Sequence, residues 1–379
     1  MAGSSSSPEP FGGVFRGRRV LVTGHTGFKG AWLCEWLLGL GASVSGIGLA
    51  PNTEPSLFGQ LGLETRLDHH LEDIRRSGAA AAIIREFRPD FLFHLAAQPL
   101  VRLSYQQPVE TWETNVLGTI QVLQGLRLLD QPCAALFITT DKCYENREWL
   151  YAYREVDPLG GYDPYSSSKA AAEIAVAAWR RSFFLGGPVK IATARAGNVI
   201  GGGDWALDRI VPDAMRALDR GETIPVRNKT ATRPWQHVLE PLGGYLWLGA
   251  VLADSSFAGP CPPDALRFRE AFNFGPRLES NRTVAQLVAE ILKHRAGRWE
   301  DRSDPRAPHE ASLLNLSIDK AFHLLGWRPV WDFEETIART TEWYTRAGQS
   351  QAALALTQAQ IAEYTAAARA AGVSWAGVV

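Results

Sequence analysis

The sequence predicts a doubly wound, mostly parallel α/β sheet with a smaller α+β region built from the C-terminal half. Three observations carry this expectation. Short apolar runs alternate with helix-period segments from Arg19 to Arg195. A glycine-rich turn, Gly24-His-Thr-Gly27-Phe-Lys-Gly30, joins the first run to the first helix. After Arg195 the alternation gives way to proline-punctuated segments.

Arg19-Val-Leu-Val-Thr23 is an apolar run that ends at the glycine turn, and Phe28 to Leu40 then carries Trp32, Leu33, Trp36, Leu37 and Leu40 at helical spacing. Gly39 and Gly41 end that helix, and Ser43 to Leu49 reads as the second strand. Further strands are expected at Phe91 to Leu95, Ala134 to Thr140 and Lys190 to Arg195. Helical patterns at Thr111 to Leu129 and Ser166 to Phe184 separate them. Residues 17–197 thus read as a dinucleotide-binding domain of Rossmann type, and 198–379 as mainly a substrate-binding region interleaved with it. In that region a short strand is expected at Phe272 to Phe274 and a helix at Thr283 to His294. A loop follows at Ser303 to Pro308 and a terminal helix at Gln351 to Ala371. Leu242 to Ala253 is apolar but too short to span a bilayer, and reads as a buried helix. Residues 1–16 lack a basic region followed by an apolar run and read as a disordered leader.

Composition narrows the function. The 379 residues are 46% hydrophobic and 21% charged with a formal net charge of -1, so no electrostatic footprint for nucleic acid or an anionic membrane is present. A small-molecule partner is expected. Cys34, Cys133, Cys143 and Cys261 form no C-x-x-C pair, and the eight histidines no H-E-x-x-H, so no metal site is expected. Gly-x-Ser-x-Gly is absent as well, which removes a nucleophile elbow. Catalysis should rest on an organic cofactor.

Glycines 24, 27 and 30 let the backbone turn tightly and approach a pyrophosphate seated on the helix N-terminus. Lys29 opposes the helix dipole unless an anion is near, so it either meets a phosphate or points away into solvent. Asp73-Ile74 follows the third strand, where the carboxylate either faces adenine or caps a helix. His94-Leu-Ala96-Ala97-Gln98 ends a strand with small residues that let a ligand lie on the backbone. Asn115, in a helical stretch, reads as a buried side chain bonded to backbone.

Tyr165 and Lys169, four apart, share a helix face, so the ammonium can stabilise the phenolate and lower a reference pKa of about 10 towards neutrality. Thr140, at a strand end, can hold the same substrate oxygen. Asp141 and Lys142 add either an acid and a base or a surface ion pair.

Thr-Gly-x-x-Gly-Phe-x-Gly, Thr-Thr-Asp and Tyr-x-x-x-Lys together resemble the nucleotide-sugar enzymes of the extended short-chain dehydrogenase/reductase superfamily, from about Arg19 to about Trp331. Longer blocks are similar to the CDP-glucose 4,6-dehydratases: Gln98 to Tyr105, Asp141-Lys-Cys-Tyr144, Gly161 to Tyr165, Arg195 to Trp205 and Arg233 to Val238. Asp141-Lys142 departs from the Asp-Glu of other nucleotide-sugar dehydratases and puts the identity of the C5 base in question. The resemblance implies NAD as cofactor, CDP-glucose as substrate and internal hydride transfer from C4 to C6. It gives Tyr165, Thr140 and Lys169 to the oxidation, and Lys142 and Asp141 to C5 deprotonation and C6 protonation. The cofactor would meet Gly24, His25, Gly27, Phe28, Lys29, Gly30, Asp73, Ile74, Ala96, Ala97, Tyr165 and Lys169. Asn198 and Arg209 would hold the diphosphate, and Ser104 the sugar. Arg233 either joins them or forms a salt bridge between domains. A cytoplasmic homodimer or higher homo-oligomer serving deoxysugar and O-antigen synthesis is also implied.

The same fold would serve a 4-epimerase, which has no need of Asp141 and Lys142. A dinucleotide-binding sensor would have no use for Thr140, Tyr165 and Lys169 together. An acidic residue to bind the ribose is expected about 20 residues after the glycine turn. Gly46-Ile-Gly-Leu-Ala-Pro-Asn52 offers none, so Lys29 or His25 would compensate and NADP stays open.

Overall fold

The computed structural model describes residues 9–258, 265–303, 313–347 and 352–377. Seven strands form one parallel sheet: β1 Arg19–Thr23, β2 Ser43–Gly48, β3 Asp68–Leu71, β4 Phe91–His94, β5 Cys133–Ile138, β6 Val189–Ala196 and β7 Ala271–Phe274. Their spatial order is β7-β6-β5-β4-β1-β2-β3. The order reverses between β1 and β4, and in open α/β sheets a ligand crevice opens beyond the strand ends at such a point. β4 and β5 are buried along their whole lengths, as their unbroken apolar runs require of strands covered on both faces.

One apolar layer joins Ile84, Val122, Leu123, Leu126 and Val176 from helices Ala79–Phe87, Gly118–Leu126 and Pro164–Trp179. The other is larger and holds Trp32, Leu33, Trp36 and Leu37 of helix Phe28–Gly39 with helix Leu239–Ala253. The latter is buried from Leu239 to Leu252, so its apolar composition serves the core. Among the described residues no helix is long and apolar enough to cross a membrane.

The expected helix from Thr111 to Leu129 is divided. Pro108–Trp112 leads into a π-helical turn, Glu113–Leu117, and then Gly118–Leu126. Asp163 caps helix Pro164–Trp179 by accepting from the Ser166 amide at 3.0 Å. β7 pairs with β6, so the C-terminal half supplies an edge strand to the sheet. Thr283 caps helix Val284–His294 in a reciprocal capping box with Gln286. The terminal helix runs Ala352–Ala370. The expected loop lies outside the described residues after Ser303, as do Gln351 and Cys261, while the other three cysteines are buried and free.

The leader is a correction. Residues 1–8 lie outside the described ones, but Pro10–Gly13 is ordered, and Phe11 and Phe15 are fully buried. Phe11 stacks on Trp375 with ring centroids 4.8 Å apart and packs edge-on against Trp36. Two aromatic anchors tie 9–16 to the core, where the serine-rich start had suggested disorder.

Candidate active site

A cleft of about 1050 Å³ opens at the carboxyl ends of the strands. Single small-molecule sites span about 300–1,000 Å³, so this volume suits two ligands side by side. At one end stands the glycine turn. Gly24 has φ +75°, and a Cβ there would lie 2.7 Å from the Ala96 amide nitrogen. A Cβ on Gly30 would lie 2.1 Å from the Gly24 carbonyl oxygen. Gly27 provides no side-chain cap, which leaves the first amides of helix Phe28–Gly39 facing the cleft. These features fit a pyrophosphate. Phe28, Ile74, Ala96 and Ala97 line the same cleft.

Lys29 also lines it, half-buried. Burial pushes its ammonium down to about 8. Arg209 and Lys169 act in the same direction and Asp141 against. Its charged neighbours, Arg209, Lys169 and Asp141, line the same cleft, so it points into the cleft rather than away. Asp73 lines the cleft edge, but Arg75 grips its carboxylate at 2.6 and 2.9 Å and holds it below the usual range. It also accepts from the Arg75 amide at 2.8 Å, a turn-forming role close to the expected cap.

Two expected ligand residues do not reach the cleft. His25 is fully buried behind β2, its Nε2 2.7 Å from His69 Nδ1, and its ring fills the space beside Gly46. Burial lowers it to about 4, so the ring is neutral packing. Ser104 is fully buried too, its hydroxyl donating to the Val101 carbonyl at 2.7 Å. Each lies beside a lining residue in sequence, but its side chain points inward.

Thr140, Asp141, Lys142, Tyr165 and Lys169 all line the cleft. Thr140 lies two residues past the end of β5 and caps the helical turn Asp141–Cys143; its hydroxyl donates to Asp141 Oδ1 at 3.0 Å and accepts from the Lys142 amide at 3.3 Å. Burial pushes the Tyr165 phenol up to about 12; a hydrogen bond from Thr140 pulls it back, Asp141 raises it and Arg209 lowers it. This differs from the lowered phenol expected from the sequence. Lys169 donates instead to the Ile138 carbonyl at 3.3 Å, and burial brings its own ammonium down to about 8, against the charge of Glu173. Asn115 fastens helix Pro164–Trp179 from behind, donating to Ser168 Oγ at 2.9 Å and to the Gln98 carbonyl at 3.1 Å.

Asp141 is buried, which distinguishes it from a surface ion pair; its Oδ2 has no hydrogen-bond partner among the described residues and faces Gly197. Lys142 Nζ lies 3.5 Å from Asn198 Oδ1 and 3.8 Å from Asp141 Oδ1. Beyond them the cleft wall carries Arg209, paired with Asp204 at 2.7 Å, and Arg233, which donates to the Thr232 carbonyl at 2.8 Å. Arg102 and Arg227 line the wall as well and were not anticipated. Arg102 lies in the block Gln98 to Tyr105, where Ser104 was chosen instead, whereas Arg227 lies in none of the blocks. No cluster of metal-ligating side chains occurs among the described residues.

A family model described as GDP-mannose 4,6 dehydratase matches residues 21–340. The CDP-glucose 4,6-dehydratase of Salmonella typhimurium is 43% identical over 363 residues, covering 93% of this chain and 98% of that protein. The dTDP-glucose 4,6-dehydratase 1 of Escherichia coli is 27% identical, covering 86% and 92%. Among solved structures, the UDP-glucose 4-epimerase of Stenotrophomonas maltophila with bound NAD superposes with a TM-score of 0.74 at 21% identity, covering 88% and 99%. The dTDP-glucose 4,6-dehydratase of Streptomyces venezuelae, also with NAD, gives 0.69 at 24%, covering 86% and 97%. These two likenesses concern the fold.

Proposed function

Because the chain belongs to the nucleotide-sugar dehydratase family of the extended short-chain dehydrogenase/reductase superfamily, we propose that it dehydrates CDP-D-glucose to CDP-4-keto-6-deoxy-D-glucose with NAD as cofactor. The enzyme is a hydro-lyase. The observation that carries this reading is the buried Asp141 beside Lys142, within the group that holds Thr140, Tyr165 and Lys169. A 4-epimerase would need the last three and not the first two.

The glycine cradle and the open helix N-terminus would hold the pyrophosphate of NAD, with Ile74, Ala96 and Ala97 against its other parts. The chemistry it supplies when bound is reversible acceptance of a hydride. Tyr165 takes the proton of the C4 hydroxyl while Thr140 holds that oxygen. The Lys169 ammonium stabilises the phenolate, whose formation burial and the charge of Asp141 oppose. The C4 ketone makes the C5 proton acidic. With the proton of the Lys142–Asp141 pair resting on Asp141, Lys142 acts as the free amine beside Asn198 and removes the C5 proton, while Asp141 passes its own proton to the C6 hydroxyl, which departs as water. The hydride removed from C4 is delivered to C6, forming the methyl group, and the Lys142 ammonium returns a proton to C5, so one water is lost with no net oxidation. Arg209, Arg233 and Asn198 hold the substrate diphosphate.

Val109, Trp112, Leu117 and Ile174 expose apolar side chains along the helical stretch 108–117 and helix Pro164–Trp179. This face supports a homodimer joined through those helices, which sedimentation of a Trp112→Glu variant would test. Nucleotide-sugar substrates and free buried cysteines favour a cytoplasmic site in deoxysugar synthesis. Turnover of CDP-, UDP-, GDP- and dTDP-glucose side by side tests the substrate. Preference for CDP-glucose is expected, and preference for another nucleotide overturns the subgroup while leaving the chemistry.

A further inference from the structure

A fully buried ion pair stands directly behind the reacting centre. Glu173, one helical turn beyond Lys169, meets Arg195 of β6 at 2.9 Å, with both side chains at most 4% exposed. Replacing such a pair by apolar residues is often neutral or stabilising, so stability alone is a weak reason for it. Its other bonds point to positioning. Glu173 Oε1 accepts from the Thr139 hydroxyl at 2.5 Å, and Oε2 from the Thr193 hydroxyl at 2.8 Å. Arg195 Nη1 donates to the Tyr144 hydroxyl at 2.8 Å, and that hydroxyl donates to Asn273 Oδ1 of β7 at 2.7 Å. The Tyr144 ring lies 4.9 Å beneath the Arg195 guanidinium and stacks on Tyr153 at 5.2 Å.

The segment 139–144 contains Thr140, Asp141 and Lys142, and one ion pair fastens it at both ends. Its upstream end is bound through Thr139 to Glu173, and its downstream end through Tyr144 to Arg195. Among the described residues the Lys142 ammonium has only long contacts, 3.5 Å to Asn198 and 3.8 Å to Asp141, so its place depends on how the downstream end is held, by the Tyr144 hydroxyl and by the Cys143 carbonyl, which accepts from the Gly160 amide. Thr140 adjoins the upstream anchor and contacts Tyr165. The two halves of the reaction therefore depend on different anchors.

We propose that Tyr144 is a positioning residue for the elimination step. Through Arg195 and Glu173, its hydroxyl registers Asp141 and Lys142 against the helix that carries Tyr165 and Lys169. The proposal rests on the dehydratase reading above. A displacement of about 1 Å can cost about 10²-fold in rate. Loss of the hydroxyl thus slows removal of the C5 proton while oxidation at C4 continues.

The test uses the full chain carrying Tyr144→Phe, which keeps the ring and its stacking. CDP-glucose deuterated at C4 or at C5 is turned over beside unlabelled substrate, and the thermal midpoint is recorded. A fall in kcat of about 10- to 100-fold at unchanged KM is expected, with a larger C5 isotope effect and a smaller C4 effect. If the variant does not fold, Arg195→Lys, which keeps a charge for Glu173 but loses the fork that reaches Tyr144, should give the same isotope pattern. Isotope effects like those of the wild type, whether activity is kept or uniformly lost, overturn the positioning role. Wild-type protein that removes no water from CDP-glucose would instead overturn the dehydratase reading.

Discussion

The Lys142 ammonium donates to Asn198 Oδ1 at 3.5 Å, joining the loop after β5 to the loop after β6 across the floor of the cleft. That bond keeps the lysine beside Asn198 and Asp141, whereas the Tyr165 phenol meets the Thr140 hydroxyl. In the proposed mechanism the two proton transfers fall to two side chains. Tyr165→Phe is expected to lower kcat by about 10²- to 10⁴-fold by removing the base for C4 oxidation. Lys142→Ala should still oxidise C4 but block elimination. Rapid-mixing absorbance of the bound cofactor separates them, and a Lys142→Ala variant that forms product at the normal rate removes Lys142 from the role of C5 base.

Activity should fall as pH rises through about 8. Burial lowers the Lys169 ammonium to about 8, so the charged form dominates below that pH and is lost above it. Glu173 raises the same group, and the neutral imidazole of His94 adds no charge near it. Glu173→Gln should therefore move the alkaline limb of the pH-rate profile to lower pH. A limb that stays in place would exclude Lys169 as the group that titrates.

The N-terminal anchor should contribute to stability. Phe11→Ala removes a fully buried ring stacked on Trp375 and is expected to cost about 3–5 kcal/mol, read by denaturant unfolding. A cost below about 1 kcal/mol would show that the segment is dispensable.

Calorimetric titration of cofactor-free protein should show tighter binding of NAD than of NADP. β2 ends at Gly48 without an acidic residue to meet a ribose, and Lys29 is directed at Arg209, Lys169 and Asp141. Lys29→Ala is accordingly expected to change affinity through the phosphates and not to reverse the preference. Tighter NADP binding would refute the assignment.

Much of the fold was legible because it rests on local pattern. Unbroken apolar runs marked β4 and β5, and the glycine spacing marked the turn whose backbone contacts exclude a Cβ. Thr140 and Asp141 line the cleft because they follow β5 at the sheet's carboxyl edge, although the strand ends at Ile138 and not at Thr140 as its apolar run suggested. Side-chain direction was not legible. His25 and Ser104 are neighbours of lining residues yet turn into the core, where packing against His69 and the Val101 carbonyl decides. Arg102 and Arg227 lie 125 positions apart in the chain, and no local signal joins them. The Tyr165 phenol was misjudged for a related reason: spacing reveals the nearby ammonium, whereas the opposing desolvation comes only from the tertiary environment.

The most direct test of the central claim follows one deuterium atom. CDP-glucose deuterated at C4 is incubated with the enzyme, and the product is analysed by mass spectrometry and NMR. The account predicts a product lighter by one water, with the deuterium at C6 and no net reduction of cofactor. A product that loses no water, or deuterium that stays at C4 or escapes into free cofactor, would contradict it.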